Sequence, residues 1–308
     1  MVISSNDMLF YKIKEFYRRL ISEEWNIGFV NNLDDLLSQE HLNIQWMKHS
    51  YTKGWFADPF ILRITDSEIF VLVEEFQHMK QCGCISKLIV DRQTMRLKCV
   101  KEILKLNTHL SFPAIYRYNN EIYIYPENCV TGRLQIYHYD EETDIVEPIH
   151  IWCKEPLVDA TLYMDGDLPF LLATKQPFQN GKSLDVYIAS GNSPLKWCFE
   201  YKQTINFNDN IARNAGLPFI YKGKTLRPAQ NCNGGYGKGI VLQELTVTCS
   251  DIVLKEIKRF FPSSKKWNDG LHTFNYYHGI AVVDGRRFRH PILTRLHRWI
   301  QGLYLLTK

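Results

Sequence analysis

Trp55-Phe56-Ala57-Asp58-Pro59-Phe60 is an apolar strand broken by one carboxylate, and four later segments read the same way. They are Leu110-Ser111-Phe112-Pro113-Ala114, Val158-Asp159-Ala160-Thr161-Leu162, Asn214-Ala215-Gly216-Leu217-Pro218 and His272-Thr273-Phe274-Asn275-Tyr276. Aligned on Asp58, Ser111, Asp159, Asn214 and Thr273, they recur at steps of 53, 48, 55 and 59 residues. A repeat of about 50 residues carrying four short strands has the length of a propeller blade. The innermost strand of each blade would line one central funnel, so that residues distant in sequence meet there.

The intervening sequence supplies the other strands. After the first segment come Ile69 to Phe76, Gly83 to Val90 and Leu97 to Ile103. The second repeat continues with Glu121 to Glu127, Leu134 to Tyr139 and Val146 to Trp152, its first hairpin turning at Asn119-Asn120. Asparagine tolerates the positive φ that such turns require. The third repeat adds Pro169 to Thr174, Leu184 to Ala189 and Trp197 to Tyr201, and the fourth Lys224 to Pro228, Gly239 to Leu245 and Ile252 to Ile257. The fifth runs out after Gly279 to Val283, while Trp25 to Val30 and Asn43 to Met47 stand unassigned at the other end. Those two strands complete the fifth blade and close the ring, which removes its free edges. The expected fold is therefore all-β, a single five-bladed β-propeller over residues 25–285. Residues 1–24 are expected to form a helical N-terminal extension and residues 286–308 a basic C-terminal helix.

Bulk properties fit that picture. A net charge of +4 over 308 residues, without a strong cluster on the repeats, gives no reason to expect nucleic acid as partner. Eight scattered cysteines, of which only Cys82 and Cys84 are close, complete neither a zinc site nor a disulfide framework. A reducing, cytoplasmic setting is expected. No apolar run reaches the length of a membrane span. The amphipathic pattern at 8–22 and at 291–305 has two readings: a helix packed on the propeller flank, or, for the basic tail with Arg286, Arg287, Arg289, Arg295 and Arg298, a peripheral membrane contact.

Asp58 and Asp159 sit inside apolar runs, and an unpaired buried carboxylate is costly, so both should face a polar space. They would either flank a sugar across the funnel, one as base and one as stabiliser of a cationic centre, or anchor their blades by accepting backbone hydrogen bonds. Glu127, in Tyr125-Pro126-Glu127-Asn128, is the candidate proton donor, with Glu75 at the corresponding place in the first blade. Arg213, Asn214, Arg227 and Gln230 supply cations and amides from the fourth blade. The arginines would hold an anionic group or neutralise the two aspartates. His109 and His272 precede inner strands and are expected to hydrogen-bond a sugar hydroxyl or a carboxylate; no metal and no cofactor is expected. Gly234-Gly235-Tyr236-Gly237 is not at a strand-to-helix turn and reads as a loop.

Taken in order, the motifs around Asp58, Ser111, Glu127, Asp159, Arg227 and His272 resemble the propeller domain at the N-terminus of plant glucosamine inositolphosphorylceramide transferases, and similar domains of bacterial surface-polysaccharide loci. More remotely the chain is similar to the five-bladed propellers of arabinanases, invertases and levansucrases. The resemblance implies a glycan, sugar-phosphate or glycolipid ligand and, for the domain that accompanies a transferase, a partner glycosyltransferase. The glycosidase likeness implies that Asp58 and Asp159 take the two carboxylate roles. This chain has Arg213 and Asn214 in the fourth blade, where those enzymes often carry the acid. Two functions remain open: chemistry on a sugar in the funnel, or a non-catalytic glycan-binding scaffold.

Overall fold

The computed structural model describes residues 22–248, 251–294 and 296. Strands β1 (Glu23–Val30) and β2 (Gln45–Trp46) come first. Blade one follows with β3 (Gly54–Ile64), β4 (Glu68–Gln77), β5 (Cys82–Asp91) and β6 (Leu97–Leu104). Blade two holds β7 (Ser111–Tyr118), β8 (Glu121–Glu127), β9 (Leu134–Asp140) and β10 (Ile145–Cys153). Blade three holds β11 (Leu157–Asp165), β12 (Leu168–Lys175), β13 (Ser183–Ser190) and β14 (Cys198–Asn206). Blade four holds β15 (Phe219–Tyr221), β16 (Lys224–Asn231), β17 (Gly239–Thr248) and β18 (Asp251–Phe260). The last strands are β19 (Phe274–Tyr277) and β20 (Ile280–Phe288).

Five four-stranded antiparallel sheets result, and the fifth has the order β19-β20-β1-β2. Both regions of the chain thus build one blade. β1 pairs with β20 over eight residue pairs, from Glu23 opposite Phe288 to Val30 opposite Ala281. The pairing runs past the expected boundary at residue 285, so Arg286 and Arg287 belong to a strand and not to a helix.

Each blade packs both faces against its neighbours, which explains the unalternating middle strands. Ile69 to Val73 of β4 are buried without a break, a pattern proper to strands covered on both sides. Outer strands such as β6 are half exposed and carry charged residues. Blades two and three are cemented by aromatics: the Trp152 ring lies 4.9 Å from Tyr125 and 5.6 Å from Phe199. Its buried indole N–H donates to the Pro194 carbonyl at 2.8 Å.

The helix expected over residues 8–22 lies outside the described residues, apart from Ser22. At the other end residues 291–294 and 296 are helical, and the remainder of that expected helix also lies outside them. No helix among the described residues is long and apolar enough to cross a membrane. Three arginines of the basic segment are paired: Arg287 and Arg289 both bind Glu24, at 2.5 and 2.6 Å, and Arg286 binds Asp269 at 2.9 Å.

Candidate functional site

The inner strands are not regular, and their irregularity builds the funnel. Asp58, Phe112 and Asp159 have φ of 49°, 45° and 46°, left-handed values rare for residues with a side chain. Each lies in a bulge between two ladder pairs: Ala57 with Glu74 and Phe60 with Leu72 in blade one, and Ser111 with Glu127 and Ala114 with Tyr125 in blade two. The third bulge falls between Val158 with Thr174 and Thr161 with Leu172. The structural counterpart of Asp58 in blade two is therefore Phe112 and not Ser111, one residue later than the sequence alignment placed it.

A bulge frees the backbone N–H of its left-handed residue, and a carboxylate of the preceding blade accepts each one. Asp284 receives the N–H of Asp58 at 3.0 Å, Asp58 that of Phe112 at 3.1 Å, and Glu127 that of Asp159 at 3.0 Å. Blades four and five continue the ring with amides. Asn214 Nδ2 donates to the Asp159 carbonyl at 2.7 Å, and Asn275 Nδ2 to the Pro59 carbonyl at 2.8 Å. The buried polar residues of the funnel wall thus stitch blade to blade.

Two carboxyl groups and one cation form the first cluster. Arg213 Nε meets Asp159 Oδ2 at 2.6 Å, and Gln230 Nε2 donates to the same oxygen at 2.8 Å. Arg213 Nη1 donates to Asn180 Oδ1 at 2.9 Å. Glu127 reaches this cluster through its Oε2, which accepts the Asp159 N–H. Burial, and then the Asp159 charge, push the Glu127 carboxyl well above the usual range, with Arg213 opposing.

The second cluster centres on a histidine held between two aspartates. His272 Nδ1 lies 2.8 Å from Asp284 Oδ1 and its Nε2 lies 3.2 Å from Asp58 Oδ1. Burial alone would discharge the ring, but Asp284 and Asp58 overcome it and raise its pKa to about 10. Asp58 Oδ1 also accepts the Thr273 hydroxyl at 2.9 Å. Asp58, His272 and Asp284 could offer ligands to a metal ion, their atoms lying within 4.8 Å of one another. With both ring nitrogens turned on carboxylates, His272 satisfies the pair as an imidazolium instead. Adjacent to this cluster, Glu74 Oε1 lies 3.2 Å from His109 Nε2. Burial raises the Glu74 pKa to about 6, with Asp58 adding to it and His109 opposing.

Tyr236 joins the clusters. Its ring lies 4.8 Å from the Arg213 guanidinium, 5.1 Å from His272 and 6.2 Å from Trp25.

A family model described as glucosamine inositolphosphorylceramide transferase 1, N-terminal, matches residues 43–282. The chain belongs to this family. Glucosamine inositolphosphorylceramide transferase 1 of Oryza sativa subsp. japonica is 26% identical over 254 residues, covering 77% of this chain and 34% of that protein. Its namesake in Arabidopsis thaliana is 28% identical over 209 residues, covering 63% of this chain and 27% of that protein. The chain spans about a third of the length of the curated relatives it matches. Among solved structures, a thermostable family-43 glycoside hydrolase superposes with a TM-score of 0.55, covering 80% of this chain and 88% of that chain at 11% identity. That is a likeness of fold.

On this member of the glucosamine inositolphosphorylceramide transferase N-terminal family, the residues singled out in sequence separate into groups. Asp159, Glu127, Arg213, Gln230 and Asn214 converge, as do Asp58, His272 and His109. Arg227 does not present its guanidinium to the funnel. It is fully buried and is spent on Asn214 Oδ1 at 2.8 Å, on Gln243 and on the Ala212 carbonyl, and its burial lowers its pKa to about 9. Glu75 faces away as well, accepting the Tyr51 hydroxyl at 2.5 Å and Ser86 at 2.6 Å. The counterpart of Glu127 in blade one is Glu74, as the pairings to Ala57 and Ser111 show. Sequence reasoning missed Glu74, Asp284 and Tyr236. The doubled Glu74-Glu75 and the glycines around Tyr236 were the signals that could have found two of them.

Proposed function

We propose that the funnel binds, and acts on, a sugar in the assembly or trimming of a cell-surface glycan or glycolipid. The observation that carries this reading is the Glu127–Asp159–Arg213 cluster, in which Arg213 holds the Asp159 carboxylate at 2.6 Å while Glu127 Oε2 accepts the Asp159 N–H at 3.0 Å and burial pushes the Glu127 carboxyl well above the usual range. A carboxyl pushed upward by burial, beside a second one paired with a guanidinium, is equipped for proton donation on one side and charge stabilisation on the other. The names of the plant relatives support a glycolipid headgroup as ligand, and the glycosidase-like ring supports a carbohydrate in the funnel.

The reading is tested by turnover of a panel of glycans and glycosylated lipids. Glu127→Gln should lose about a hundredfold or more in rate, the scale of a general acid. Unchanged turnover in that variant sinks the assignment.

A second reading draws on a different observation. The Asp58 oxygens are taken up by Thr273, His272 and Phe112, as suits a wall that binds rather than reacts. The domain would then hold a glycan for a partner glycosyltransferase. Glycan binding without turnover, and turnover only after adding the transferase, would support it.

A further inference from the structure

We propose that Glu74, positioned by His109, is a further carboxyl through which the funnel meets its ligand, sharing a hydrogen bond or a proton with a sugar hydroxyl. This rests on the sugar reading above.

Asp58 Oδ2 accepts Phe112 N–H, and Oδ1 accepts Thr273 and faces His272. Asp284 Oδ1 accepts the N–H groups of His272 and Thr273, and Oδ2 that of Asp58. Asp159 Oδ2 is held by Arg213 and Gln230, and Glu127 Oε2 by the Asp159 N–H. Glu74 differs. Among the described residues its Oε1 has only His109, at 3.2 Å, and its Oε2 makes no hydrogen bond, so no backbone N–H or amide holds this carboxyl as one holds each of the others.

His109 is built to hold that carboxyl. The Gly83 N–H donates to His109 Nδ1 at 3.0 Å, which leaves the ring's proton on Nε2, pointed at Glu74. Glu74 favours a second proton on the ring, but that proton would oppose the Gly83 N–H, so the neutral tautomer persists. The His109 side chain is 43% exposed and that of Glu74 8%, so the pair runs from the solvent into the wall. Gly83 makes room for it. A Cβ there would stand 2.8 Å from both Glu74 Oε1 and His109 Cε1, and 2.5 Å from the Leu110 carbonyl.

The groups that act on Glu74 come from four places. Asp58 on β3 repels its charge, His109 before β7 and His272 before β19 attract it, and Tyr236 lies between β16 and β17. With its pKa raised to about 6, Glu74 has both protonation states populated near neutrality. A group that can give or take a hydrogen bond on one free oxygen suits a hydroxyl, which can do the same.

The experiment is calorimetric titration of the full chain with glucosamine, N-acetylglucosamine, mannose and inositol 1-phosphate, from pH 5 to pH 8. For any sugar that binds, Glu74→Gln should weaken affinity about tenfold or more and flatten its change near pH 6. His109→Ala should weaken it less, and His109→Gln, which keeps an N–H donor, should restore most of it. Wild-type affinity and pH profile in Glu74→Gln overturn the proposal while leaving the sugar reading in place. A wild type inert to every glycan sinks the sugar reading. A carbon-13 titration of the Glu74 carboxyl then decides the pair on its own. Titration near pH 6, moving upward in His109→Ala, sustains the pair; ordinary titration without that response overturns it.

Discussion

Glu74 and Glu75 are adjacent, yet one reaches His109 in the funnel wall and the other reaches Tyr51 and Ser86 on the opposite side of the strand. Alternation along a strand is legible in any sequence; which member of the doublet faces inward is set by the partner strand. The same holds for Arg227, whose charge reads as a ligand anchor until its burial is seen. His272 carries a prediction at this scale. Its folded-state pKa of about 10 lies above the ordinary 6.5, so the folded protein holds that proton more tightly than the unfolded chain. The resulting stabilisation is fully present below pH 6.5 and is lost as pH rises through 10. In urea denaturation, wild type should therefore exceed His272→Gln by most at pH 6 and by clearly less at pH 9.5. An equal gap at both values would refute the imidazolium bridge.

The inner strands show where element reading stopped short. The sequence expects Asn214 to Pro218 as the fourth inner strand, but β15 is Phe219–Tyr221 and Asn214 makes one isolated bridge to Ala229. Its side chain is drawn to blade three instead, donating to the Asp159 and Leu172 carbonyls, and Pro218 has no N–H to give a ladder. Likewise His272 and Thr273 give their N–H groups to Asp284, which shortens β19 to Phe274–Tyr277. Gly216 lies in the seam so formed. Phe274 N–H reaches the Ala215 carbonyl at 2.8 Å and Leu217 N–H reaches Asn275 Oδ1 at 2.9 Å. A Cβ at Gly216 would stand 2.1 Å from the Phe274 carbonyl oxygen. Gly216→Ala should thus cost about 1–3 kcal/mol or more in denaturant unfolding, since blades four and five must part. A cost under half a kilocalorie would show that the seam yields freely.

At the scale of the molecule, the ring is held by its fifth sheet, which joins β19 and β20 to β1 and β2. Deleting residues 1–48 leaves that blade a two-stranded hairpin, which is marginal in water, and exposes the long edge of β20. Such a protein should lose its single cooperative thermal transition; a sharp transition retained in calorimetry would mean that four blades suffice. The sequence by itself determined the number of blades, the place of nearly every strand and the two chain regions that share one sheet. Those follow from local hydrophobic pattern and repeat length, which a linear chain displays. It also pointed to Asp58 and Asp159 as carboxylates stranded in apolar runs, and to Glu127, Arg213 and His272 at the ends of strands beside them. Only the tertiary structure decided what they face. Each bulge adds a residue and resets the parity of its strand, moving the counterpart of Asp58 from Ser111 to Phe112. The partners that saturate Asp58 lie 54 and 215 residues away along the chain. Saturation is a count of donors brought together by ring closure, and no local pattern contains it. That count leaves Glu74, unremarkable in sequence, with His109 as its one partner among the described residues.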